Sequence, residues 1–437
     1  MLPDATLPVP ASLMTLLVSF TPLFTAPSFR TFTMLACGFL AQPGKRTVCG
    51  MLSGAGLART WPHDRAHRFF SRARWNPDDL GLAAAKLVVA LLVPAGEPVL
   101  IAIDDTLFRR RGKKVWAASW FHDGSAQGKQ KTGRGNNWVV LAVVVRLPFC
   151  TRPVALPVMT KLVVKGTMSA SRLWLARRMT QALADALPGR RLHAVADSAY
   201  AGEELGKLGK QVTWTTRLRK DAALHGLPPQ RTGTRGRPRV RGGRLPKLAG
   251  LAAGTVFTQV TVTRYGKTET VHAVTCLWYS VFGTRPVQVI LVRDKSATGY
   301  DLALVTTDLN AVSAQVIERY AARWSIEVAI EDAKQEFGAG QARNRTAGAV
   351  RRTVPFQLAC QAIAVTWYAT AGHDPADIED RRKRAPWYKT KTAPATADMT
   401  AKLRRVLIAA RFKPSRPDQP TPEEIRAIRL AWETTAA

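Results

Sequence analysis

The sequence predicts a mixed α/β protein: a mixed β-sheet with helices on its faces, a β-rich basic insertion, and helical regions at both ends. Three observations carry this. Residues 11–92 return apolar side chains every three to four positions and hold few strand signals. From Pro98 onward, short runs of β-branched and aromatic residues take over, and between 171 and 218 they alternate with helical patterns. Residues 219–298 change texture again, to a Pro/Gly-rich basic stretch followed by alternating strands, after which the helical period returns.

The chain has 437 residues, enough at roughly 150 per domain for two or three domains. With 46% hydrophobic and 22% charged residues it has the composition of a folded chain, which excludes wholesale disorder. Its charge is unusual: 64 Lys and Arg against 31 Asp and Glu leave a net +33. Such self-repulsion is relieved by a polyanion, so nucleic acid is the first partner to consider. No membrane role is expected. The most apolar N-terminal run, 11–24, is too short to span a bilayer, is broken by Pro22, and lacks the basic start and small-residue cleavage site of a secretory signal. The five cysteines are scattered and form no CxxC pair; they read as buried thiols of a cytoplasmic protein.

In chain order, residues 1–97 form a helical region. Its segment 45–74 interleaves Lys45, Arg46, Arg59, Arg65, Arg68, Arg72 and Arg74 with Trp61, Phe69 and Phe70, which suits a DNA-binding surface or an ordinary solvated face. Residues 98–218 are the first part of the sheet core. Strands are expected at 99–104, 115–121 and 138–147, a helix at 171–187, a strand at 192–197, a short helix at 201–210 and a strand at 212–218. The insertion, 219–298, carries strands at 256–263, 272–280 and 287–292. Residues 299–345 complete the core with a strand at 302–308 and one long helix at 313–337. Residues 346–437 form a helical C-terminal region: a helix at 355–370, a basic linker at 381–391 and two further helices.

Acids at two strand ends, Asp104 with Asp105 beside it and Asp197, suit the sharing of divalent cations, because a sheet holds such carboxylates rigidly. On the long helix, Tyr320, Arg323, Glu327 and Lys334 stand at offsets that place them within an arc of roughly 60° at 100° per residue. Glu331 falls on the same stripe. Ile326, Ala329, Ile330, Ala333 and Phe337 make the neighbouring apolar face, which would dock the helix on the sheet and aim the stripe at the acids.

The pattern Tyr320-x2-Arg323-x3-Glu327-x6-Lys334 resembles the signature of one branch of bacterial insertion-sequence DDE transposases, whose catalytic core is RNase H-like. The string 103–106 (Ile-Asp-Asp-Thr) resembles that family's first acid segment and 196–200 (Ala-Asp-Ser-Ala-Tyr) its second; the likeness covers roughly residues 99–345. It implies a catalytic triad of Asp104, Asp197 and Glu327 that also holds the metal, Asp104 being preferred over Asp105 because Thr106 completes an acid-x-Thr pattern. It implies two Mg2+ ions, with Mn2+ able to substitute, and DNA contacts from Tyr320, Arg323 and Lys334. The implied reaction is strand cleavage at transposon ends followed by 3′-hydroxyl transfer into target DNA, by a homodimer assembled on DNA. The 130 residues between Asp197 and Glu327 exceed one helix and loop, and an inserted β domain of the kind common in this branch accounts for the excess. A nuclease without strand transfer, and a domesticated non-catalytic DNA-binding protein, are the alternatives.

Two other features stand out. The stretch Arg235-Gly-Arg237-Pro, followed by Arg239, Arg241 and Arg244, fits a minor-groove hook or a generic basic loop on phosphates. His63 and His67 have the spacing of a helical zinc site, but Asp64 stands where a zinc protease has Glu, and a metal is not expected there. Trp214 and Trp278 are expected in the core.

Overall fold

The structure, a computed structural model, describes residues 9–124, 126, 131–230, 237–262, 267–293, 299–410, 422, 423, 425 and 426. The N-terminal helices are α1 (Ala11–Leu17), α2 (Ala26–Ala41), α3 (Val48–Gly54), α4 (His63–Ser71) and α5 (Pro77–Leu92). Proline at the start of α2 and α5, and the Asn76 side chain accepting from Asp78 N–H, set two of these starts. The run 11–24 is not one helix: α1 passes into a 3₁₀ turn, Val18–Leu23, which holds Pro22.

The core strands are β1 (Val99–Arg109), β2 (Ser119–His122), β3 (Thr132–Val145) and β4 (Val154–Leu162); after α6 (Arg172–Ala186) come β5 (Leu192–Ala196) and β6 (Val212–Arg217). Five of them stand in the order β4–β3–β1–β5–β6, with β3 antiparallel to its neighbours and the other pairs parallel. That is the arrangement of an RNase H-like core. Several expectations are corrected here. Strand β4 was not foreseen. The strand at 115–121 starts only at Ser119, the strand expected at 138–147 begins earlier, at Thr132, and 201–210 holds only a 3₁₀ turn, Glu203–Lys207.

The chain continues through α7 (Leu248–Ala253), β7 (Thr258–Val262), β8 (Lys267–Leu277), α8 (Tyr279–Phe282), β9 (Pro286–Arg293) and β10 (Leu302–Thr306). β10 pairs with β6, and β9, β8 and β7 follow outward, so the strands of the 219–298 segment extend the core sheet. The long helix is two: α9 (Ser313–Ala322) and α10 (Trp324–Gln335), joined at Arg323, which keeps helical dihedrals. α11 (Ala347–Trp367) begins eight residues before Pro355 and carries that proline inside it. The start of the expected basic linker is the last turn of a helix, α12 (Asp377–Arg384), and α13 (Thr396–Ala409) follows; the last expected helix lies almost wholly outside the described residues.

Alternation along β1 and β3 sorts the core. Ala102 and Phe108 of β1, with Trp138, Val140 and Ala142 of β3, pack against Ile326, Ala329 and Ile330 of α10 and Val350 and Val354 of α11. Ile101, Ile103 and Leu107, with Val139 and Leu141, face α5 and α6 through Leu80, Ala84, Leu175 and Met179. The sheet therefore has helices on both faces. α11 ties this core to the N-terminal helices: Phe356 meets Phe32, Phe39, Phe69 and Phe70 edge-on, at ring centroid distances of 5.9, 6.1, 6.2 and 5.2 Å. Trp61, Phe69, Phe70 and Trp75 are buried, so the aromatics of this segment serve packing. Trp214 and Trp278 are core residues, as expected. Among the described residues, no helix is long and apolar enough to cross a membrane.

Candidate active site

Asp104 stands inside β1 and not at its end, but it lies where the neighbour stops. β5 pairs with β1 only as far as Ile103 opposite Ala196. Asp104 and Asp197 thus come one residue past the last pair on adjacent parallel strands. Asp197 leaves the sheet as the cap of a 3₁₀ turn, accepting from the N–H and the hydroxyl of Ser198.

The parity of β1 separates the two neighbouring acids. Asp104 is on the α10 face; Asp105 is on the α6 face, where three donors hold it. Arg172 Nε lies 3.0 Å from Asp105 Oδ2, Asn137 donates to the same oxygen at 3.0 Å, and the buried Tyr200 hydroxyl donates to Oδ1 at 3.3 Å. Burial first, then Asp105 and Asp104, push the Tyr200 hydroxyl well above its ordinary range, so it remains a donor. Both carboxylate oxygens of Asp105 are thus occupied by donors.

Across from Asp104, α10 presents Glu327, and Arg323 stands between the two. Its Nη1 lies 2.8 Å from Glu327 Oε1 and 3.9 Å from Asp104 Oδ2, with only 13% of the side chain exposed. Burial opposes the charge of Arg323, but Glu327, Tyr320 and Asp104 outweigh it and raise its pKa. Burial, reinforced by Asp105 and Glu327, lifts the Asp104 carboxyl from 3.8 to about 6, against a backbone hydrogen bond from Asp105 and the pull of Arg323. Tyr320 is half-buried, with Arg323 5.7 Å from its ring and Asp197 among the charges it feels. Lys334 lies near the other end of the stripe, 5.9 Å over the Phe108 ring, its pKa lowered by burial despite Asp123, Glu331 and Asp104 nearby. Glu331 is exposed and accepts from Gln335 at 2.9 Å.

The structure brings Asp104, Glu327, Arg323 and Tyr320 together, with Asp197 beside them at the end of β5. The three acids do not converge as a tight ligand set; among the described residues, the ligating atoms of only one group, in the N-terminal helices, all lie within 4.8 Å of one another. The donors nevertheless fit a divalent cation: hard oxygens from a sheet and a helix, two of them held close enough for like charge to raise a pKa, where added positive charge is favoured. Arg237 is exposed and far along the chain from this group, and Arg235 lies outside the described residues.

Sequence reading missed two features. Arg217, the last residue of β6, and Arg219 and Lys220 just past it are exposed and line a cleft of about 360 Å³ with Ser198, the neighbour of Asp197. Only their run of basic residues after a strand could have signalled this. Arg110, within the basic run 109–114, is buried; its Nη1 donates to the carbonyls of Gly340 and Ala342 at 2.7 and 2.6 Å and its Nε to Asn136 at 3.0 Å. It clamps the loop after α10 to the end of β1, and so holds α10 against the sheet.

The sheet thus carries acids on its first strand, at the end of the neighbouring strand and on the helix packed across it. Residues 19–285 match the family model described as DDE superfamily endonuclease, and the chain belongs to that family. The matched stretch includes Asp104 and Asp197 and ends before Glu327. Among solved structures, one similar chain is the piggyBac transposase in a cryo-EM synaptic complex with hairpin DNA, at 8% identity and a TM-score of 0.43, covering 96% of this chain and 80% of that one. No curated protein matches the sequence.

Proposed function

We propose that the protein is a DDE transposase of the bacterial insertion-sequence type, which cuts DNA at the ends of its element and joins the freed 3′-hydroxyl to target DNA. The observation that carries the reading is the meeting of Asp104 and Glu327 across Arg323, with Asp197 at the adjacent strand end. Asp104, Asp197 and Glu327 would hold Mg2+, or Mn2+ in its place. Such ions, when bound, activate a water or hydroxyl and stabilise the leaving oxygen of an in-line displacement.

The chain's own residues supply the rest. Arg323 is placed to trade its carboxylates for a phosphate, which its planar fork grips with two hydrogen bonds. Lys334 offers a point charge further along the strand, and Tyr320 a ring and hydroxyl for the terminal nucleotide. Arg217, Arg219 and Lys220 give the flanking DNA a basic path away from Asp197. Assembly as a dimer on paired element ends belongs to the same proposal.

The test is incubation of the full chain with Mg2+ and DNA carrying the ends of its own element, followed by mapping of cuts and joints. Asp104→Asn, Asp197→Asn and Glu327→Gln should each abolish cutting while end binding persists. Cutting without joining would make the protein a nuclease that lacks strand transfer. Undiminished cutting by any one of the three variants would overturn the triad.

A further inference from the structure

Away from the acids, three metal-ligating side chains converge on the N-terminal helices. Cys49 lies in the first turn of α3, and His63 and His67 lie one turn apart on one side of α4. Cys49 Sγ is 3.2 Å from His63 Nε2 and 3.8 Å from His67 Nε2, and the two Nε2 atoms are 3.1 Å apart. At that separation both nitrogens cannot carry hydrogen towards each other, so at least one lone pair faces the shared space. Cys49 is exposed, unlike the buried thiols expected of this chain; Cys37, Cys276 and Cys360 are buried.

The triangle has the dimensions of a tetrahedral zinc site. Bonds of about 2.0–2.1 Å to nitrogen and 2.3 Å to sulfur set the tetrahedral edges at about 3.3 Å between two nitrogens and about 3.5 Å between sulfur and nitrogen. The observed edges of 3.1, 3.2 and 3.8 Å straddle those values. One thiolate with two imidazoles is a borderline-soft set that selects zinc-like cations over Mg2+. Asp64, the neighbour of His63, is not part of the set; it pairs with Arg68 at 2.5 Å on the exposed side.

The backbone holds these ligands in place. A Cβ on Gly38 would lie 1.9 Å from the Met51 carbonyl, and one on Gly54 2.1 Å from the Gly38 carbonyl, so α3 is pressed directly onto α2. On α4, Phe69 and Phe70 anchor the end of the helix in the aromatic core. The ligands are thus set on two anchored helices and not on loops.

We propose that Cys49, His63 and His67 form a zinc-binding site that staples α3 to α4, with its fourth position open to solvent water. The staple fixes the connection that carries exposed Arg59. It is independent of the acidic site in both place and donor chemistry, and its test does not depend on DNA cleavage.

The full chain, freed of metal with a chelator, is titrated with Co2+ and then Zn2+. The expected result is a thiolate-to-cobalt charge-transfer band that saturates at one equivalent, tetrahedral d–d bands of matching stoichiometry, and displacement of both by Zn2+. Oxygen donors at Asp104, Asp197 and Glu327 give no thiolate band, so Asp104→Asn should leave it unchanged. Cys49→Ser should remove the band, and His63→Gln and His67→Gln should each weaken Co2+ binding by about tenfold or more. Zn2+ should raise the Tm of the wild-type chain and not that of Cys49→Ser. A wild-type chain without the band, or a band that survives Cys49→Ser, would overturn the proposal.

Discussion

The most informative residue is Asp104, because its ionisation opposes folding. Unfolded, such a carboxyl ionises near 3.8; in the fold, burial and the acids around it hold the proton up to about pH 6. Between those values the folded chain binds more protons than the unfolded one, so stability falls as pH rises through the window and stays lower above it. Asp104→Asn removes the ionisation. It should raise stability at pH 7 to 8 by up to about 3 kcal/mol, with the gain gone below about pH 4, and denaturant melts across pH would read it. Asp105→Asn should behave oppositely: it disturbs the acceptor of Arg172, Asn137 and Tyr200 and should cost about 1–3 kcal/mol while cleavage continues. A dead Asp105→Asn with a melting curve like that of the wild type would reverse the roles assigned to the pair. The sequence offers both acids side by side, and the resemblance to the family's acid-x-Thr pattern favours Asp104; only the parity of β1 shows which face each one takes.

At the scale of elements, the signals that survive in sequence are those with a clean period or a cap. α6 is capped by Ser171, whose side chain accepts from Trp174 N–H, and both its ends are legible to within a residue. β4 was illegible because it is buried nearly throughout, so no alternation marks it, and Pro157 argues against a strand. It is tolerated because β4 pairs only with β3, and the ladder shifts register between Leu141 and Ala142, next to the proline. The polar stripe from Tyr320 to Lys334 was legible from helical spacing alone, although it crosses the junction at Arg323, because that residue keeps helical dihedrals. The Cys49 group was not, since the thiol comes from another helix with no motif linking it to the histidines. Tertiary contacts likewise reveal what Arg110 and Phe356 do. Arg110→Ala frees two carbonyls in the loop after α10 and the Asn136 side-chain amide on β3, and should cost about 3–5 kcal/mol, with cutting lost more steeply than end binding as α10 loosens. Phe356→Ala opens a cavity among four rings and should also cost about 3–5 kcal/mol in chemical melts. Losses below about 1 kcal/mol would show that these contacts do not hold the layers together.

Over the whole molecule, the net charge of +33 is spread across surfaces that can be tested separately. If DNA is the partner, each phosphate neutralised by a Lys or Arg contributes nearly one unit to the slope of log affinity against log salt. Exposed Arg217, Arg219 and Lys220 line the cleft that starts beside Asp197, whereas exposed Lys45, Arg59, Arg72 and Arg74 lie on the N-terminal helical region. Replacing the first set with Gln should lower the slope for duplex DNA by up to about three units and slow cutting, because those contacts lead to the acids. Replacing the second set should lower it by up to about four units if that region also lies on the backbone, with the mapped cut position unchanged. These positions are exposed, so neither set should alter Tm by more than about 1 kcal/mol equivalent in melts without DNA. A first set that leaves both slope and cutting unchanged would place the DNA elsewhere on the protein. A shallow slope in the unaltered chain would remove the polyanion argument itself, whatever the acids do.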